Sequence, residues 1–530
     1  MKRFLACLLL LPVLGACSYL EYASVQADYA RIQQADPGQV NLKHMIDRQT
    51  YYVIGRTVGE KARFENTGLA VAAYSSRYKS NERVDTMYFA GAGTHFGLNL
   101  PEGDFKLLVF ADTDRNRIYD RTEVVGQASI RLNERSLPNK VLDRVEISLR
   151  PAQRVDWVEP FSMPHADDPT NSLFFPTGSI RSLDDPIFSE NMATLGIYDP
   201  ASFLERSPTL FYALEEDLVY KIPVVFVHGI GGSVRDFRAL VERLDRSRYK
   251  PWFFYYPSGG DLDQLAEVFH RIFLSGDVIA LGRMPLIVVA HSMGGLIVRE
   301  ALNRYQAGPK ENRLRLVVTI ASPFGGHPAA ATGEKHGLIV LPSWRDLNPE
   351  NRFIRALFRK PLPKTVEHQL IHAYGNPAAL RVGAASDGVV ALSSQLRLEA
   401  QAQASAQLGF ESSHTAILEN RAMIDHVIAR MDRVENFYPA SHLEMLRRGG
   451  YPVKLSDDYG PVSQYIIRTM GKYWMAISNG TLAPFFPEQA QFVRVVKGQA
   501  STEDAAIRDW LRFLRAYPGF RFEPAGASRR

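Results

Sequence analysis

One stretch of this chain leaves its fold few alternatives. Leu286-Ile287-Val288-Val289-Ala290 is an unbroken apolar run, the pattern of a parallel strand buried on both faces. His291-Ser292-Met293-Gly294-Gly295 follows, and Leu296 to Leu302 then reads as a helix. A strand that passes into a helix through so few residues must turn sharply. The positions two before and two after Ser292 must therefore be small, and they are Ala290 and Gly294. Such a turn holds the Ser292 hydroxyl above the strand ends. It also aims the first backbone N–H groups of the helix at the same spot, where the helix dipole favours an anion. Around this turn, residues 221–435 alternate apolar strand runs with helical patterns, the sign of βα units and a mostly parallel sheet.

The chain has 530 residues, enough for several domains. Hydrophobic residues make up 46% and charged residues 22%, which excludes disorder of the whole chain. A formal charge of +5 without a long basic run gives no support for nucleic-acid binding. No apolar run is long enough to span a bilayer. Both cysteines, Cys7 and Cys17, lie at the start. Lys2 and Arg3 precede an apolar stretch from Phe4 to Leu14, the pattern of a secretory signal. Its end, Leu14-Gly15-Ala16-Cys17, resembles the lipobox of bacterial lipoproteins. That resemblance implies removal of residues 1–16, acylation of Cys17 and a lipid-anchored protein of the bacterial cell envelope, with Ser18 pointing to the outer membrane. Residues 17–45 then read as a helical tether broken at Pro37-Gly38.

Residues 46–150 change character. Tyr51–Gly55, Leu69–Tyr74, Lys106–Phe110 and Arg144–Leu149 are β-branched or aromatic runs parted by turn residues, which predicts a small antiparallel β-sandwich. Within it Asp112, Asp114, Asn116, Asp120 and Glu123 stand at side-chain positions 1, 3, 5, 9 and 12 of a calcium loop, with Arg117 where that loop wants glycine. A solvated polar hairpin turn is the other reading. No metal is assigned. Residues 151–220, rich in Pro and Asp, read as a linker or a packed lead-in. Leu396 to Ala406 reads as a surface insertion, and residues 436–530 as a helical C-terminal region, with helices at Val462–Met475 and Ala505–Leu514.

Upstream of the serine turn, Pro223 to Val227 is a strand that ends in His228-Gly229-Ile230-Gly231-Gly232. Together with the turn at Ser292, it resembles the α/β-hydrolase superfamily, and within it bacterial lipases and lipase-like relatives of GPI-inositol deacylase. The resemblance implies that Ser292 is a nucleophile and that the backbone N–H groups of Ile230 and Met293 form an oxyanion hole. It also implies the chain order Ser, acid, His. Asp346, Asp387, Glu411 and Asp425 are acid candidates. Ser386-Asp387-Gly388-Val389-Val390 matches the family's acid loop, whereas Asp346 suits a lid. His327, His336, His368, His372, His414, His426 and His442 follow the serine, but only the last three follow Asp387. His414, in Ser412-Ser413-His414-Thr415 between a strand-like and a helix-like run, matches the family's final histidine loop. His228 and His291 are expected to orient structure.

Residues of about 325–367, with Pro342-Ser343-Trp344-Arg345-Asp346-Leu347 and Phe353–Phe358, resemble a lipase lid, which suits an acyl chain. The aromatics of Pro251–Pro257 read as pocket lining or core. The resulting expectation is a membrane-anchored serine carboxylic-ester hydrolase (lipase, phospholipase or esterase) acting on acyl lipids through Ser292, Asp387 and His414, with no cofactor. The alternatives are a triad hydrolase of another class, such as an amidase, thioesterase or glycan deacylase, and a non-enzymatic envelope protein with a degenerate hydrolase body.

Overall fold

The structure is a computed structural model. It describes residues 24, 31 and 50–522, except 65–66, 76–80, 90–91, 163–169, 177, 208, 337–339, 376–384 and 457. The expected signal sequence, Cys17 and nearly all of the tether lie outside the described residues. The chain forms two compact units. One comprises the residues up to Asp217 together with Ile222–Glu435, and the other Leu218–Lys221 with the residues from Asn436 onward.

The first unit begins with two packed sheets. One is ordered β4-β1-β8, from β1 (Tyr51–Val58), β4 (His95–Leu100) and β8 (Val141–Ser148). The other is β3-β2-β5-β7, from β2 (Leu69–Ser75), β3 (Arg83–Phe89), β5 (Gly103–Ala111) and β7 (Val124–Leu132). Alternation sends Val53, Val71, Leu98, Leu107 and Val109 into the shared core. The opposite face of β2 and β5 is also covered. Ala70, Ala72 and Phe110 pack there with Tyr119 and Phe161, from the two-residue strands β6 (Ile118–Tyr119) and β9 (Phe161–Ser162). Covering both faces explains why β2 has no exposed residue. The expected purely antiparallel sandwich needs one correction: β1 pairs with β8 in parallel. The helical crossover that parallel neighbours in an α/β sheet require is here replaced by the whole second sheet.

A seven-stranded sheet follows, ordered β10-β12-β11-β13-β14-β15-β16. Its strands are β10 (Phe211–Ala213), β11 (Ile222–Val227), β12 (Tyr249–Phe254), β13 (Pro285–His291), β14 (Arg313–Ile320), β15 (Glu367–Ala373) and β16 (Ala406–Phe410). All neighbours are parallel except β10, which runs against β12. Ahead of β11, α1 (Glu190–Tyr198) and α2 (Pro200–Arg206) precede β10, which joins the sheet edge. Further helices of this unit include α3 (Arg238–Arg243), α4 (Leu262–Phe269), which continues into a π turn at His270–Leu274, α5 (Met293–Leu302), α6 (Pro328–His336), α7 (Pro342–Leu347), α8 (Arg352–Ala356), α9 (Leu398–Gln403) and α10 (Arg421–Met431).

From β11 the chain moves to β12 on one side, and from β13 it continues to β14 on the other. The crevice beyond the carboxyl ends of β11 and β13 is therefore the topological switch point, where ligands of open α/β sheets bind. The fold is that of the α/β hydrolases, with a sheet-rich region before it and a helical region after it. The expected surface insertion at Leu396–Ala406 is instead packed structure. Ala400 of α9 is buried, and Gln403 Oε1 accepts from Arg299 Nη2 (3.2 Å) and from the Leu362 N–H (3.2 Å). Alternating small and polar residues hid an amphipathic turn.

The second unit contains α11 (Ala440–Arg447), α12 (Pro461–Ser478), α13 (Pro487–Val496) and α14 (Ala505–Ala516). They surround Trp510, which is fully buried and donates from Nε1 to Ser478 Oγ (3.0 Å).

Candidate active site

Ser292 stands between the end of β13 and the start of α5, at φ 53°, ψ −128°. A non-glycine residue in that region is strained, and the strain is what raises the hydroxyl out of the strand. The small neighbours are demanded by space. A Cβ on Gly294 would stand 2.4 Å from the Val227 carbonyl oxygen, and one on Gly229 would stand 2.8 Å from Ser292 Cβ.

His414 follows β16, and its Nε2 lies 2.8 Å from Ser292 Oγ. Its Nδ1 lies 2.7 Å from Asp387 Oδ2, and its backbone N–H donates to the Asp387 carbonyl (3.0 Å). Asp387 follows β15, and its Oδ1 accepts from the Val389 and Val390 N–H groups at 2.9 and 2.7 Å. All three side chains are buried. With a carboxylate on Nδ1, the imidazole carries its proton there and offers Nε2 as the base toward the serine. The sequence-selected trio is thus brought into one hydrogen-bonded chain. The other acid candidates go elsewhere. Glu411 is exposed, and Asp425 pairs with Arg243 (2.6 Å). Asp346 lies on α7 and accepts the Leu262 N–H (2.9 Å). His426 contacts Gln369, His368 contacts Thr319, and His442 contacts Tyr473 in the second unit.

Ile230 and Met293 both line a cavity of about 340 Å³ at Ser292. The Met293 N–H, at the first position of α5, has no acceptor within its own helix. The next loop residues are already engaged: the Gly231 N–H donates to Ser258 Oγ (3.0 Å) and the Gly232 N–H to the Gly229 carbonyl (3.2 Å). The rest of the wall is mostly apolar, with Ala330 of α6, Trp344 and Leu347 of α7, and Val389 and Val390 of the acid loop. His327 also lines it, with Nε2 2.7 Å from the Val389 carbonyl oxygen. The aromatics at the end of β12 and just after it are core: Trp252, Phe253, Phe254, Tyr255 and Tyr256 are buried and none lines this cavity.

Two histidines brace the site. His291 Nε2 lies 2.8 Å from the His414 carbonyl oxygen, so that nitrogen carries the proton. Burial first, and His414 second, push its pKa down to about 3, which keeps it neutral. His228 stacks on Tyr256 (4.2 Å between ring centres), lies 2.8 Å from the Gly229 carbonyl oxygen through Nδ1, and is pushed down to about 4 by burial.

Sequence reasoning missed Gln395. It is 1% exposed and donates from Nε2 to Asp387 Oδ2 (3.1 Å), the oxygen that faces His414. The same group donates to the Ala373 and Val390 carbonyls (3.1 and 3.2 Å), while Oε1 accepts the Ala373 N–H (2.9 Å). Nothing in Leu392-Ser393-Ser394-Gln395 marks it, because its partners lie in β15 and the acid loop. A hydrogen bond to a charged group contributes about 1.5–3 kcal/mol. Gln395→Leu is expected to lower kcat roughly 10- to 100-fold with KM nearly unchanged, read by steady-state kinetics on a soluble ester.

Between β14 and β15, the Asp346 carboxyl has its pKa pushed up to about 7 by burial, then by neighbouring Asp261 and Asp263, with Arg345 opposing. Its folded pKa lies above the ordinary 3.8, so the folded state holds the proton more tightly. Stability from this group is lost as pH climbs from about 4 through about 7. Asp346→Asn keeps an acceptor for Leu262. Urea unfolding at pH 5 and pH 8 should show a flatter pH dependence and a more stable variant at pH 8, the limit being about 1.4 kcal/mol per pKa unit.

Residues 222–370 match the family model of the alpha/beta hydrolase fold. Three solved structures are similar to part of the chain. Lipase BlEst2 of Bacillus licheniformis in its mature form is 17% identical, with 42% of this chain and 97% of that chain covered and a TM-score of 0.30. Aspergillus fumigatus lipase B is 16% identical, with 42% and 55% covered and a TM-score of 0.30. The monoacylglycerol lipase of Paleococcus ferrophilus is 14% identical, with 39% and 91% covered and a TM-score of 0.28. No curated protein matches the sequence.

Proposed function

We propose that this chain is a serine hydrolase of carboxylic esters that acts on acyl lipids, held at the bacterial cell envelope by acylated Cys17. The observation that carries the reading is the unbroken line Asp387–His414–Ser292, at 2.7 and 2.8 Å, opening on a cavity with apolar walls. His414 takes the proton of Ser292 as Oγ attacks the ester carbonyl. The N–H groups of Ile230 and Met293 hold the oxyanion, where one lost donor typically costs about 10²–10³ in rate. Asp387 keeps the imidazole in its productive tautomer and stabilises the imidazolium. His414 then protonates the leaving alcohol, and water repeats the sequence on the acyl-enzyme to release the acid. Trp344 and Leu347 of the lid are the surface on which an acyl chain would rest.

The test is turnover of an ester series of increasing acyl length and of phospholipid vesicles, compared with matched amides and thioesters. An optimum at long acyl esters supports the lipase reading. Turnover confined to amides or thioesters replaces it with the other hydrolase class, and no turnover of any substrate overturns it.

A further inference from the structure

A second cavity, of about 380 Å³, shares no wall residue with the one at Ser292. One wall is the outward face of β1 and β4, where Tyr52 lies opposite Asn99 and Ile54 opposite Gly97. The facing wall carries Val268 of α4 and Ile272 of the π turn. The sheet is moored to this helix by polar contacts beside the cavity. Gln264 Nε2 donates to the Thr50 and Lys140 carbonyls (2.6 and 3.0 Å), and Arg271 pairs with Asp143 (2.8 Å). The two surfaces are therefore held together around the space between them. Phe174, 40% exposed, belongs to the wall, so the apolar lining reaches the surface.

Among the polar residues of this wall, with Thr94, His95 and Thr209, is Asn99. It is 4% exposed, and among the described residues no donor reaches its Oδ1. A buried acceptor without a donor is costly, and such groups are rare in folded proteins. A largely apolar space of this size with an unmet acceptor in its wall has the chemistry of a small-molecule site.

We propose that this cavity binds one single-chain lipid with a hydroxyl headgroup, a monoacylglycerol or a long-chain alcohol. The alkyl chain packs between Ile54, Val268 and Ile272, and the hydroxyl donates to Asn99 Oδ1. The volume stands near the lower end of the roughly 300–1,000 Å³ usual for ligand sites, which favours one chain over two. The inference does not depend on the ester-hydrolase reading, because no residue of that site takes part.

The test uses the full chain carrying Ser292→Ala and a monoacylglycerol bearing a photoreactive group in its alkyl chain, with the attachment site mapped by mass spectrometry. Saturable labelling of one equivalent at residues 52–54 or 268–272 is expected. Competition by a long-chain alcohol, and about tenfold weaker competition by its methyl ether, are expected if the hydroxyl makes the bond. Two variants separate binding from folding. A Cβ added at Gly97 meets no heavy atom within 4 Å, so Gly97→Phe fills the space; it should abolish labelling at an unchanged melting temperature. Asn99→Leu should erase the difference between alcohol and ether. Absence of saturable labelling at these positions, or labelling undiminished in a folded Gly97→Phe protein, overturns the proposal. An ether that competes as well as the alcohol overturns the role of Asn99.

Discussion

Replacing Ser292 by alanine is expected to lower kcat on the best ester by on the order of 10⁶-fold, because a nucleophile and base that act as a unit fail together. The residual rate should still exceed that in water by about 10³–10⁴, since the Ile230 and Met293 N–H groups are untouched. Folding should be unaffected: the Oγ contact is with His414, and alanine meets the same backbone at φ 53°. Ser292→Gly separates the two roles of this position. It should be equally inactive but unfold at a higher temperature, because glycine adopts a positive φ without the Cβ penalty. Steady-state kinetics and thermal melts of the pair provide the check. A Ser292→Ala protein that retains ester turnover within tenfold of the parent would remove the serine from the mechanism.

Asp387→Asn is expected to cost about 10⁴-fold in kcat. The surroundings dictate which way the amide points. The Val389 and Val390 N–H groups both donate to Oδ1, so the asparagine oxygen must take that place. The new NH₂ then sits where Oδ2 faces His414 Nδ1 and Gln395 Nε2. It meets a second donor in Gln395 and forces His414 to accept through Nδ1. The imidazole proton moves to Nε2, which can no longer take a proton from Ser292. A kcat/KM on the same ester within a factor of ten of the parent would show that Asp387 is not the acid.

The parts of this arrangement that were legible in the sequence are those carried by local pattern. β13 is apolar from Pro285 to Ala290 because both faces of the sheet are covered, and the turn after it must use small residues whatever surrounds it. Asp387 and His414 were selected through the order of a known family, and the structure brings them within reach of Ser292. What escaped depends on distant contacts. β10 is three residues long and exists because β12 offers it an edge. β3 reads Arg83-Val84-Asp85-Thr86-Met87-Tyr88-Phe89, with charges that blur its alternation. Of the calcium-like residues, Asp112, Asp114 and Glu123 converge, their carboxylate oxygens within 4.8 Å of one another. Asn116 and Asp120 turn to the Ile118 and Thr122 N–H groups instead (2.6 and 2.7 Å). Arg117, where glycine was wanted, adopts φ 65° nonetheless.

The segment between β14 and β15 bears on how such a molecule can diversify. It supplies Ala329, Ala330, Gly333, Trp344 and Leu347 to the cavity at Ser292, whereas Ser292, Asp387, His414 and the N–H groups of Ile230 and Met293 come from other loops. On the function proposed above, chemistry and selectivity reside in separately heritable pieces of the chain. On that reading, drift in α6 and α7 would retune which substrates are accepted while the sheet and its strained serine pass unchanged from ancestor to descendant. Chimaeras exchanging this one insertion between relatives should inherit the substrate preference of the donor.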